Sequence, residues 1–222
     1  MVINFLGDSI TEGCGASRYE NGFVPLVGKL LNCQVNNYGI GGTRIAKQLT
    51  PSLDPKWDLD FGSRVKELDP NADLTFVFGG TNDFGHGDAP IGNISDTEPT
   101  TFCGAMNYLI NELLKKFKKE QIVFILPIYR FNDDDPLGDH YRYKPTMPLQ
   151  GYRDLMTEII SRYNIEVLDI KDLVGKPKDT KYFDDGLHPN DAGHRKIAEI
   201  LANFISKRQQ INGKSSEINS CN

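Results

Sequence analysis

The chain has 222 residues, enough for one large domain with a substantial core. Hydrophobic residues make up 39% and charged residues 25%, and both values argue against an intrinsically disordered chain or a coiled coil. The formal net charge of −5 argues against a protein that binds nucleic-acid phosphates, and no apolar run reaches the roughly 18 residues that a membrane span needs.

The N-terminus and the cysteines indicate the compartment. Residues 1–5 enter an apolar segment at once, without the basic head and long apolar stretch of a signal peptide, so we expect a cytoplasmic protein. The cysteines, Cys14, Cys33, Cys103 and Cys221, form no C-x-x-C pair. This spacing argues against a structural zinc site, and the absence of an export signal argues against a disulfide framework. Packing is the role we expect for Cys14.

Short apolar segments of strand length alternate with amphipathic segments of helix length. We predict strands over 2–6, 34–38, 74–78, 122–128 and 165–170, and helices over 24–31, 105–117, 152–163 and 197–205. The strands are mostly continuous apolar runs, as in parallel sheets buried on both faces. The alternation predicts a three-layer α/β/α domain with right-handed crossovers, and Asn190 is the predicted N-cap of the last helix.

The end of the chain and two long connections depart from this alternation. Residues 209–222 are polar and lack helical periodicity, so we assign residues 1–208 to the domain and predict a disordered tail beyond it. The connections 84–100 and 129–148 are long enough to be functional loops. Whether they close over a site is left open.

Four polar clusters directly follow predicted strands or precede the last helix. They are Gly7-Asp8-Ser9-Ile10, residues 37–42, residues 79–83 and residues 185–189. In an open parallel sheet, ligands bind at the carboxyl ends of the strands, so we expect these clusters to meet at one rim. Each cluster alone also fits a turn, a helix cap or, for the first, a phosphate-binding loop. Their joint order is much less expected by accident.

Together the clusters contain what acyl transfer needs. Ser9 supplies a hydroxyl, which is a poor nucleophile until His188 takes its proton. Asp185 lies three residues before His188, so a tight turn can set its carboxylate against the ring and fix the tautomer. The backbone N–H groups of Ser9 and Gly42 and the side-chain amide of Asn82 are candidate donors to the oxyanion. This chemistry needs no cofactor and no metal.

In sequence order, these clusters resemble the motifs of the GDSL/SGNH hydrolase superfamily. The matching blocks are GDSIT from residue 7, NYGIGGT from residue 37, GGTND from residue 79 and DGLHPN from residue 185. The resemblance implies a flavodoxin-like fold with a five-stranded parallel sheet in the order 2-1-3-4-5. It also implies the roles given above for Ser9, Gly42, Asn82, Asp185 and His188. Gly42 is preferred to its neighbouring glycine because it aligns with the glycine that precedes the threonine of that block.

The substrate is less clearly indicated. Tyr129, Phe131, Tyr141 and Tyr143 offer flat faces to a sugar, although they could equally pack their loop onto the domain. His86 could line the site or be a solvated loop residue. The acidic second loop disfavours a long apolar groove, so we expect a short-acyl, most simply acetyl, esterase acting on carbohydrate or a similar small ester. The alternative is a lysophospholipase or acyl-thioesterase, and a more remote one is a non-catalytic flavodoxin-like module that binds phosphate or nucleotide.

Overall fold

Five parallel strands form one sheet in the order β2-β1-β3-β4-β5. The computed structural model describes residues 1–139, 146–178 and 181–219. The strands are β1 Val2–Gly7, β2 Gln34–Gly39, β3 Leu74–Phe78, β4 Ile122–Ile125 and β5 Glu166–Leu168. The predicted flavodoxin-like sheet and its strand order are therefore confirmed.

The helices cover both faces of the sheet. They are α1 Ser9–Glu12, α2 Phe23–Leu31, α3 Phe61–Arg64, α4 Thr81–Gly85, α5 Phe102–Lys116, α6 Leu149–Ser161, α7 Lys171–Val174 and α8 Asp191–Asn219. Alternate side chains of β4 enter two separate cores: Ile122 and Phe124 pack with α3, α5 and α6, whereas Val123 and Ile125 pack with α2 and α8. This alternation produces the predicted three layers.

The fourth strand is shorter than the predicted 122–128 because its backbone partners change. The Leu126 N–H still donates to Leu168, at 3.1 Å, but Pro127 has no N–H to donate. The carbonyls of Pro127 and Ile128 instead accept from the buried guanidinium of Arg153, at 2.8 and 2.9 Å. The hydrogen-bond ladder of the sheet therefore ends where Arg153 donates to the carbonyl oxygens.

Asn190 caps the last helix, as predicted. Its Oδ1 accepts from the N–H groups of Ala192 and Gly193, at 3.1 and 3.2 Å. The helix continues to Asn219, so it extends into the segment for which we predicted a disordered tail, and the domain boundary at 208 stays a prediction. In the described part of the chain, no helix combines the length and apolarity needed to cross a membrane.

Candidate active site

Ser9 and His188, 179 positions apart in the chain, meet at the carboxyl edge of the sheet. The His188 Nε2 atom lies 3.0 Å from the Ser9 Oγ atom, and Nδ1 lies 2.6 Å from Oδ2 of Asp185. An ionised carboxylate only accepts hydrogen bonds, so the neutral ring carries its proton on Nδ1 and Nε2 is left to accept from the serine hydroxyl. The structure thus brings the three predicted triad residues into one hydrogen-bonded row.

A single turn fixes the imidazole half of this row. Oδ1 of Asp185 accepts from the backbone N–H groups of Leu187 and His188, at 2.8 and 2.7 Å, while Oδ2 faces the ring. Gly186 inside the turn has a φ of 78°, which favours glycine. Partial burial opposes ionisation of Asp185, but the hydrogen bonds from the His188 ring and from the two backbone N–H groups outweigh it, and the pKa of this carboxyl lies below its ordinary value.

The nucleophile side is organised by the start of α1. Asp8 is the N-cap of this helix and its Oδ1 accepts from the Ile10 N–H at 3.0 Å. Ser9 is therefore the first helical residue, 8% exposed. Its backbone N–H makes no hydrogen bond within the described residues and is available to a ligand.

The glycine block lies directly beside Ser9. A Cβ at Gly41 would lie 3.7 Å from the Ser9 Cβ, and the Gly41 N–H donates to Oε2 of Glu12 at 2.8 Å. Gly42 has a φ of 75°, and its N–H makes no hydrogen bond in the part of the chain that the structure describes. Since the Gly41 N–H is already bonded, the Gly42 N–H is the one of the two that stays available to a ligand.

Asn82 lies in the first turn of α4 and is buried against the same block. Its Nδ2 donates to the carbonyl of Thr43 at 2.9 Å, which leaves the second amide hydrogen for a ligand. The next residue, Asp83, accepts from the N–H groups of Ile45 and Ala46, each at 2.9 Å. Consecutive side chains of α4 therefore hold the segment that follows Gly42.

Buried charges beneath the site were not found from the sequence. The Arg64 guanidinium donates to the carbonyls of Gly7 and Tyr38, at 2.9 and 3.0 Å, and so joins the ends of β1 and β2. Burial lowers the pKa of Arg64 to about 10. Burial also raises the pKa of Asp8 to about 7, against the hydrogen bond from Ile10 and the charges of His188 and Arg64. No local motif marks Arg64, because the groups that accept from it, two carbonyls and the Thr43 hydroxyl, lie far away in the sequence.

Trp57 is a second feature that the sequence analysis missed. It lies in the 3₁₀ turn Pro55–Asp58, and a Cβ at Gly42 would collide with Cδ1 and Nε1 of its indole. Its ring also packs on His86, with the centroids 5.2 Å apart. The signal available in the sequence was that the chain's single tryptophan follows the glycine block.

The predicted substrate-contacting residues fall in different places. Phe131 is 64% exposed and borders the triad turn, since its N–H donates to the carbonyl of Gly186 at 2.8 Å. Tyr129 is directed to α7 instead: its hydroxyl donates to Asp172 at 2.8 Å. Tyr141 and Tyr143 lie outside the described residues.

The acidic residues of the second loop are largely used inside the protein. Asp133 accepts from the Arg130 N–H at 2.7 Å and pairs with the buried Arg153 at 2.9 Å. Asp139 pairs with the buried side chain of Arg130. The number of acidic residues in this loop therefore says little about the polarity of a neighbouring substrate groove and does not count against a long acyl chain.

Comparison with known proteins identifies the family. The sequence profile of the GDSL-like lipase/acylhydrolase family matches residues 5–196. An acetylxylan esterase from Xylanibacter ruminicola is 24% identical over 216 residues, which are 90% of this chain but only 42% of the longer relative.

Solved structures share the fold over most of their length. A protein from Lactobacillus plantarum is 27% identical with a TM-score of 0.76, covering 92% of this chain and 96% of that one. A carbohydrate acetylesterase from Sinorhizobium meliloti is 14% identical with a TM-score of 0.68, covering 93% and 98%. The profile match spans most of the domain and confirms the resemblance seen in the motifs. The chain therefore belongs to the GDSL-like lipase/acylhydrolase family.

Proposed function

We propose that the protein is a serine esterase that removes short acyl groups, chiefly acetyl, from carbohydrates or similar small alcohols. The observation that carries this proposal is the position of the His188 ring, 3.0 Å from the Ser9 hydroxyl and 2.6 Å from the Asp185 carboxylate. An ordinary surface histidine has no need of both partners, whereas general-base activation of a hydroxyl requires them.

The reaction proceeds in two stages. Ser9 attacks the ester carbonyl carbon while His188 accepts the hydroxyl proton, and the negative charge on the carbonyl oxygen is stabilised by the N–H groups of Ser9 and Gly42 and the amide of Asn82. His188 then gives its proton to the leaving alcohol as the ester C–O bond breaks. Water, deprotonated by His188, attacks the acyl-enzyme in the same way and releases the acid and Ser9.

Two comparisons and one structural observation support acetylated carbohydrate as the substrate class. The acetylxylan esterase aligns with 90% of this chain, and the carbohydrate acetylesterase from Sinorhizobium meliloti shares its fold. The exposed ring of Phe131 lies beside the triad turn and offers a flat apolar face of the kind that packs on a sugar.

A lipolytic role is the second candidate, and one observation favours it. The segment that carries Trp57 also exposes three leucines: Leu49 is 58% exposed, Leu53 96% and Leu59 43%. Exposed apolar side chains on a segment that reaches the glycine block through Trp57 fit a long acyl chain or a lipid surface. Hydrolysis of lysophospholipid or acyl thioester would use the same triad.

The proposal is tested with p-nitrophenyl acetate, acetylated xylo-oligosaccharides and a lysophospholipid as substrates. We expect acetate release from the first two and covalent labelling of Ser9 by a p-nitrophenyl phosphonate, detected by mass spectrometry. Ser9→Ala should abolish both. Full turnover by Ser9→Ala would discard the mechanism, and a clear preference for the lysophospholipid would replace the substrate class.

A further inference from the structure

Trp57 and His86 line the site on the side of the oxyanion donors. The Trp57 indole fills the space where a Cβ at Gly42 would be, and the His86 ring lies 5.2 Å from it, centroid to centroid. The His86 N–H donates to the carbonyl of Asn82 at 2.9 Å, so His86 immediately follows the turn that carries the third donor. We call these two rings the aromatic wall.

A buried arginine holds the aromatic wall in place. Arg44 is 3% exposed, and its guanidinium donates to the Trp57 carbonyl at 3.0 Å and pairs with Asp58 at 3.2 Å. The same guanidinium lies 3.1 Å from Nδ1 of His86. Since one rigid, fully buried group contacts both ring-bearing residues, the wall is a fixed part of the domain rather than a mobile loop surface.

The chemistry of the triad decides which part of the substrate meets the wall. The leaving oxygen must face Nε2 of His188, because this ring protonates it. The alcohol therefore leaves on the side of the triad turn, where Phe131 packs on Gly186. The carbonyl oxygen points to the oxyanion donors, and the acyl substituent takes the remaining position on the tetrahedral carbon, away from His188 and next to the segments that carry Gly42 and Asn82.

We infer that Trp57, with His86 beside it, forms the wall of the acyl-binding pocket and sets the length of acyl group that the enzyme accepts. This inference rests on the proposed esterase function and assigns separate roles within it: Trp57 selects the acyl group and Phe131 contacts the alcohol. A bulky indole fixed at Gly42 leaves room for a short acyl group and obstructs a long one.

The test compares p-nitrophenyl acetate, butyrate and octanoate, which share one leaving group. Trp57→Ala removes the indole and leaves only a methyl side chain. This change should raise the ratio of kcat/KM for octanoate to kcat/KM for acetate by about 10-fold or more, a size typical of pocket-volume changes. Trp57→Phe should give an intermediate ratio. Phe131→Ala should leave this ratio within about 2-fold while weakening activity on acetylated xylo-oligosaccharides relative to p-nitrophenyl acetate. Leu173→Ala, at an exposed residue of α7, is the matched control.

Fluorescence gives a readout that does not depend on turnover. Trp57 is the only tryptophan, so its emission reports on the pocket directly. Phosphonates that carry a methyl or a butyl group should label Ser9 and shift the emission, the butyl group more strongly.

The outcomes separate the two proposals. An unchanged acyl ratio in Trp57→Ala, or equal loss on all three esters, would overturn the assignment of Trp57 and leave it a support for Gly42. Absence of esterase activity and of Ser9 labelling in the wild type would instead overturn the proposed function.

Discussion

The two sides of the candidate site are built in different ways. On the imidazole side, one turn supplies both the ring and its carboxylate, since Asp185 binds backbone N–H groups through one oxygen and His188 through the other. On the oxyanion side, Gly42 and Asn82 lie in separate segments, and buried groups from elsewhere in the chain, such as Arg64, join the strand ends beneath them. A self-contained turn is visible as a short motif, whereas a distributed arrangement depends on contacts that no motif contains.

Substitutions on the imidazole side should lower the esterase activity more than substitutions on the oxyanion side. We expect His188→Ala to lower kcat by about 10⁴-fold or more, because His188 is the one base that the described residues place against the Ser9 hydroxyl. Asp185→Asn should lower it by about 10⁴-fold, since the amide no longer fixes the ring tautomer. Hydrolysis of p-nitrophenyl acetate measures both effects.

The neighbouring Asp184→Asn is the control, because Asp184 lies one residue earlier and its carboxylate bonds to Asn190 rather than to the ring. If Asp185→Asn retained more than roughly a tenth of wild-type activity, the turn would not be the self-contained unit described above.

Asp8 should make the protein less stable as the pH rises. Its pKa is about 7 in the folded protein against an ordinary value of 3.8, so the folded state binds more protons between these values. The stabilisation is complete below pH 4 and is lost as the pH rises to about 7, by about 4 kcal/mol for a shift of this size. Asp8→Asn keeps an oxygen for the Ile10 N–H but cannot ionise.

Urea unfolding at pH 5 and pH 8 therefore tests whether burial suppresses ionisation of the Asp8 carboxyl in the folded protein. The wild type should lose about 2 to 3 kcal/mol of unfolding free energy between pH 5 and pH 8 through Asp8, and Asp8→Asn should not show this loss. Asp134→Asn, at an exposed carboxylate, should behave as the wild type. If the unfolding free energies of Asp8→Asn and the wild type depended on pH in the same way, Asp8 would ionise as freely in the folded as in the unfolded protein.

The same contrast explains what could be read from the sequence. Apolar runs located all five strands, and the motif order picked out the three residues that the structure joins by hydrogen bonds, because continuous burial and tight turns leave local patterns. Arg44, Arg64 and Arg153 were missed, since arginine is ordinarily exposed and most of the groups that accept from these side chains are backbone carbonyls or lie in other segments, so they leave no local motif. Trp57 was missed for a related reason: its contact with Gly42 spans an irregular segment whose course no periodicity predicts.

A substitution at Asn82 tests whether the oxyanion side contributes to the chemical step. Asn82→Ala removes a donor to the developing negative charge, and we expect kcat to fall by about 10²–10³-fold with a small change in KM. A loss expressed mainly in KM would assign Asn82 to substrate binding instead. Asn71→Ala, at an exposed asparagine, controls for the loss of an amide elsewhere.

The smallest effect is expected at Glu12, the exposed last residue of α1, whose carboxylate accepts the Gly41 N–H at 2.8 Å. This bond orients the peptide next to Gly42, so Glu12→Ala should lower kcat about 5- to 10-fold, while Glu12→Gln keeps an acceptor oxygen and most of the activity. Equal loss in both variants would show that the charge matters more than the hydrogen bond. Wild-type activity in both would mean that the glycine block keeps its position without α1, and the oxyanion side would then be less distributed than the contrast with the triad turn requires.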